Sequence, residues 1–157
     1  MELNEKLKID TSKVAILPYD PKDLRDKNWI HFGDNKVNSE LTNDDLRKID
    51  ETAEIVISNQ IIKLKKYYEP IRKEDPDYYY RQTNHVINLN NYKRQYVAVI
   101  NEKGEKEVWV NLFCDDIEIH HWKTEIFGAH GGGWCFFQFK LNLTRNKYYD
   151  AWFNAEA

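Results

Sequence analysis

The last third of the chain constrains the fold most, because it reads as two strand pairs with aromatic residues on both faces. Gln95–Ile100 and Glu107–Cys114 flank the turn signal Asn101-Glu102-Lys103-Gly104-Glu105. Trp134–Leu143 and Tyr148–Ala155 flank Thr144-Arg145-Asn146-Lys147. Side chains alternate along a strand, so parity assigns faces. In the second strand Val108, Val110, Leu112 and Cys114 share a side opposite Trp109, Asn111 and Phe113. In the third, Cys135, Phe137, Phe139, Leu141 and Leu143 oppose Trp134, Phe136, Gln138, Lys140 and Asn142. In the fourth, Tyr149, Ala151, Phe153 and Ala155 oppose Tyr148, Asp150, Trp152 and Asn154. An antiparallel sheet covered on one side needs only one apolar face. The wholly apolar set ending in Leu143 therefore faces the core. The mixed set is either covered by something else or is a contact surface.

A helix supplies the cover for the inner face. Thr42 with Asp45 three residues on approximates a capping box, and Asp44 and Asp45 suit the positive end of the helix dipole. Leu46, Ile49, Ala53, Val56, Ile57, Ile61, Leu64 and Tyr68 then recur at spacings of three and four. Lys63, Lys65 and Lys66 occupy the last turns, and Pro70 limits continuation. The spacing predicts a helix over Thr42–Tyr68. Upstream, Val14–Leu17 is a short apolar run stopped by Pro18, an edge strand or a tucked-in extended segment. Trp29–Phe32 looks like a strand ending in the turn Gly33-Asp34-Asn35. Asp75-Pro76-Asp77 is a turn signal before Tyr78, Tyr79 and Tyr80, which pack one ring and expose another or stack on a ligand; Val86–Leu89 suits a short strand. Residues 71–93 carry no firmer signal. The expected organisation is one domain over 1–157: an N-terminal arm (1–41), a helix (42–70) and a sheet (94–157).

Charge and hydropathy remove several functions. The formal net charge of −3 and the absence of a long basic run argue against nucleic acid, whose binding draws on phosphate neutralisation. No apolar stretch approaches the roughly 18 residues that span a membrane. The start, Met1-Glu2-Leu3-Asn4-Glu5-Lys6, lacks the apolar core of a secretory signal. As written the chain reads as cytoplasmic, and as exported if a signal peptide once preceded it.

Candidate sites follow from the mixed face and the loop beside it. Trp109, Phe113, Trp134, Phe136, Trp152 and Tyr148 form the outer aromatic set, suited to a protein partner because Trp and Tyr are enriched at interface hot spots. Its plainer accounts are cover by the arm through Trp29 and Phe32, or self-association. Cys114 ends one strand and Cys135 begins the next with inward parity, so a disulfide and two buried thiols both fit. The loop 115–133 carries Asp115, Asp116, Glu118, His120, His121 and His130 before Gly131-Gly132-Gly133. Imidazoles and carboxylates can hold a transition metal. The spacing matches no zinc signature, however, and His120 and His121 would point to opposite sides of an extended segment. A solvated polar loop with Trp122 and Phe127 tucked inward is the plainer account. No cofactor motif and no catalytic nucleophile stand out.

One long helix followed by an antiparallel meander resembles the cystatin-like α+β arrangement, which implies a four- or five-stranded antiparallel sheet wrapped on the helix. The stretch Arg94–Asn111, with the closing hairpin, also resembles small uncharacterised bacterial proteins, some of them exported, without implying a chemistry. Inhibitor cystatins carry a central Gln-x-Val-x-Gly loop; here Gln95-Tyr96-Val97-Ala98-Val99 has Val in place of Gly, so protease inhibition does not carry over. The expectation is a non-catalytic binding module of inhibitor or immunity type, recognising a protein through the aromatic face. Its alternatives are a metal-dependent enzyme centred on loop 115–130 and a structural homodimer.

Overall fold

Thr42 caps the long helix α1 (Asn43–Tyr68) through a reciprocal pair: its hydroxyl accepts from the Asp45 N–H at 3.1 Å, and the Asp45 carboxylate accepts from the Thr42 N–H at 2.9 Å. The computed structural model containing this helix describes residues 10–22, 30, 32 and 36–155. Leu46, Ile49, Ala53, Val56 and Ile57 are buried against the sheet. Leu64 and Tyr68 are only half-buried, because the last turns overhang the sheet and meet a second helix, α2 (Pro76–Thr83). There the Tyr68 and Tyr78 rings stand 5.9 Å apart, edge to face. The Asp75-Pro76 pair, read as a turn, is a helix start: Asp75 accepts from the Tyr78 N–H at 3.0 Å, and Pro76 opens the first turn. No strand forms at Val86–Leu89; a short 3-10 turn at Leu89–Asn91 leads into the sheet.

Six strands build that sheet: β1 (Val14–Leu17), β2 (Val37–Asn38), β3 (Tyr92–Ile100), β4 (Lys106–Cys114), β5 (Phe136–Asn142) and β6 (Lys147–Phe153). The order is β1-β3-β4-β5-β6, with β2 also pairing β3. The fold is α+β, a long helix on a largely antiparallel sheet in the cystatin-like arrangement. It differs from an all-antiparallel meander at one edge, where β1 runs parallel to β3 with Val14 opposite Arg94 and Leu17 opposite Val97. A parallel pair needs a long crossover connection, and here the segment holding α1 provides it.

The faces separate as the alternation requires in β4 and β5. Val108, Val110, Leu112, Phe137, Phe139, Leu141 and Leu143 form the inner core with α1. A part-buried ion pair crosses the same layer: the buried Arg94 donates through Nε to the half-buried Asp50 of α1 at 3.1 Å. In β6 the alternation breaks. Gln138 faces Trp152 while Lys140 faces Tyr149, so Asp150 and Ala151 both stand opposite Phe139 in a β-bulge. Asp150 takes a left-handed φ of 51° to make it. The extra residue reverses the parity of everything before it. Tyr148 therefore lies on the inner face, its hydroxyl accepting from Asn59 of α1 at 2.6 Å. Its placement in the outer aromatic set is corrected accordingly.

Candidate functional site

The outer face is floored by a second apolar cluster: Ala15, Leu17, Ile30, Phe32, Val97, Val99 and Trp109, with Tyr19, Trp122 and Ile126 packed at its margin. Trp109 is 1% exposed and Phe113 is fully buried. Of the two accounts of these residues, a partner-facing surface and cover by the chain itself, the structure has the second. The leading segment covers the first through Ile30 and Phe32; Trp29, His31 and Gly33–Asn35 lie outside the described residues. The loop after β4 covers the second. The Phe113 ring meets Trp122 at 5.9 Å and Phe127 at 5.6 Å.

That loop, residues 115–132, crosses the outer face as a strap, and the buried amides of Gln95 and Asn111, with the half-buried Asn154, grip its backbone. Gln95 Nε2 donates to the Trp122 carbonyl at 2.5 Å and the Glu125 carbonyl at 2.6 Å, while its Oε1 accepts from the Phe127 N–H at 3.0 Å. Asn111 Nδ2 donates to the Phe127 carbonyl at 2.9 Å. Asn154 Nδ2 donates to the carbonyls of Ala129 and Gly131 at 2.7 and 3.0 Å. A loop laid on a sheet leaves carbonyls short of water, and an unpaired buried one costs about 1–3 kcal/mol. The amides remove that cost. The Cys114–Cys135 disulfide, Cα–Cα 4.8 Å, closes the strap at its root; a loop of this length is worth about 3 kcal/mol on the chain-entropy account. The strap turns back at Gly132, where φ is 88° and a Cβ would collide with the Phe136 ring. Only glycine satisfies both demands.

Past this turn the chain makes a 3-10 turn, Gly133–Cys135, and β5 begins at Phe136. Strand parity does not hold there, which corrects the expected outward position of Trp134. Its ring lies at the inner margin, 4.5 Å from His85 and 4.9 Å from Phe153, and its carbonyl accepts from the Tyr92 hydroxyl at 2.6 Å. Burial, then the charge of Asp116, pushes the Tyr92 phenol up to about 12, so it stays a donor.

Among the described residues, the outer face stays open at its β5–β6 end. Trp152 is 63% exposed and stands over a cleft of about 700 Å³. Its lining includes Phe127 and His130 from the strap, Phe136, Gln138 and Lys140 from β5, and Asp150 from β6. The pairing register sets four outer residues in a row across the sheet, Gln95–Asn111–Gln138–Trp152, so the indole ends a line of amides. Gln138 Oε1 accepts from the Trp109 Nε1–H at 2.9 Å. The buried Lys140 ammonium lies 3.3 Å from Asp150 and within 6 Å of the Phe32 and Tyr149 rings. Tyr149 donates to Glu107 at 2.8 Å; burial first, and then that hydrogen bond, raise its phenol above the ordinary value. The cleft is concave, its lining somewhat more apolar than polar, with Gln138 and Lys140 held in place by their partners.

The three candidate metal-ligating histidines are not gathered. The His120 and His121 rings stand 6.5 Å apart on the exposed strap, while His130 lines the cleft. Among the described residues, the one close group of potential ligand atoms is Cys114, Asp116 and Cys135, and its two sulfurs are bonded to each other. No helix among the described residues is long and apolar enough to cross a membrane. The chain matches no family model, no curated protein and no solved structure. Its class therefore rests on the fold and the cleft: an α+β domain whose outer sheet face, among the described residues, is open at the β5–β6 end.

Proposed function

We propose that this chain is a non-catalytic binding module whose docking site is the cleft beneath Trp152. The observation that carries the reading is selective closure: strap and leading segment bury Trp109 and Phe113, yet leave Trp152 63% exposed beside a cleft of about 700 Å³. Leaving a large indole in water forgoes roughly 1.5–3 kcal/mol of burial, a cost that a partner recovers. A recessed site suits a protein that inserts a segment better than one that lies flat on a wall, which narrows the inhibitor or immunity type of recognition expected from the sequence. The disulfide supports an oxidising compartment, in keeping with the likeness of Arg94–Asn111 to small uncharacterised bacterial proteins, some of them exported.

The test is capture from native extract by wild type and Trp152→Ser. The variant should keep its circular dichroism and stability within about 0.5 kcal/mol, since the side chain is mostly solvated. It should lose a specific band. An identical set of bands would reject the reading.

A further inference from the structure

Resting on that docking reading, we infer that the cleft takes an uncharged, extended peptide segment of the partner, anchored by one aromatic or large aliphatic side chain against Trp152. Three observations select this occupant. First, the buried Lys140 ammonium is already engaged by the largely exposed Asp150 carboxylate at 3.3 Å. A neutral ligand leaves that contact intact, whereas a charged one competes with it. Second, the amides of the floor are half used. Asn111 Nδ2 serves Gln95 and Phe127, and Gln138 Oε1 serves Trp109. Among the described residues, Asn111 Oδ1 and Gln138 Nε2 make no hydrogen bond. They belong to directly paired positions of β4 and β5, an acceptor beside a donor, which is the complement of a peptide N–H and C=O. Third, Phe127, Phe136 and Trp152 make the lining more apolar than polar, which favours a hydrocarbon or aromatic side chain over a hydroxylated sugar ring.

The mode of entry is constrained as well. The bulge at Asp150, with its left-handed backbone, interrupts the free edge of β6 and blocks addition of a further strand. The segment must lie on the face, across the amide row.

A random-peptide library displayed on phage, panned on the disulfide-intact protein with counter-selection on Trp152→Ala, tests this. Enriched peptides should share an aromatic or large aliphatic position and no fixed charge. Synthetic copies should bind Gln138→Glu about tenfold more weakly, because that change keeps the acceptor for Trp109 but removes the donor. Their affinity should change by less than about twofold between about 50 and about 500 mM sodium chloride. Overturning results are no enrichment over Trp152→Ala, enrichment of peptides with a fixed charge and salt-sensitive binding, or Trp152-dependent binding of neutral cello-oligosaccharides in place of peptides. If Trp152→Ser still loses a partner band while no peptide is enriched, this inference falls and the docking reading stands. If the band is indifferent to Trp152, both fall.

Discussion

Two tryptophans on the same face of the sheet have opposite roles, and their surroundings decide which. Trp109 is buried in the outer cluster and gives its indole N–H to Gln138 at 2.9 Å. Trp152, one strand beyond Gln138 in the register, has solvent over most of its surface. Removing a buried indole leaves a large cavity and orphans the Gln138 acceptor, so Trp109→Ala should destabilise by about 3–5 kcal/mol. Urea unfolding followed by circular dichroism measures this, and a cost below about 1 kcal/mol would mean the outer cluster is not packed. A variant at Trp109 thus reports on folding, while one at Trp152 reports on the cleft.

At the scale of elements, the N-terminus of α1 is tied to the sheet by one carboxylate. Asp45 closes the capping box and also accepts from Lys106 of β4 at 2.7 Å. Burial is the largest influence on it and works upward, but the hydrogen bonds from Lys106 and Thr42 together outweigh burial and hold it below the usual carboxylate range. A depressed folded-state value means the stabilisation is present above the unfolded value, near pH 4, and disappears as pH falls through the folded one. The difference in urea midpoint between wild type and Asp45→Asn should therefore be largest near neutrality and shrink below about pH 4; a constant gap would contradict it. This helix was legible in the sequence because cap, stripe and stop all agree. The inner face of β4 and β5 was legible for the same reason, since alternation is local. Tyr148 was not, because one extra residue in a bulge reverses parity and nothing in Lys147–Phe153 announces a left-handed aspartate. The strap was not either. Its hold depends on Gln95, Asn111 and Asn154 meeting its carbonyls across long sequence separations, and amides at outward positions look like ordinary surface until the register is known. Of the cleft, Trp152, Phe136 and His130 were in view as candidates, whereas the pairing of Lys140 with Asp150 required the bulge.

The whole molecule is a sheet with two covers: α1 over the inner face, and the leading segment with the strap over most of the outer one. Among the described residues, this second cover buries Trp109 and Phe113 and leaves the Trp152 end open. Hydroxyl-radical footprinting, read residue by residue with mass spectrometry on the folded, disulfide-intact protein, tests it most directly. Trp152 should oxidise early in the exposure series and Trp109 only when the protein is unfolded, whereas comparable oxidation of both in the native state would contradict the account.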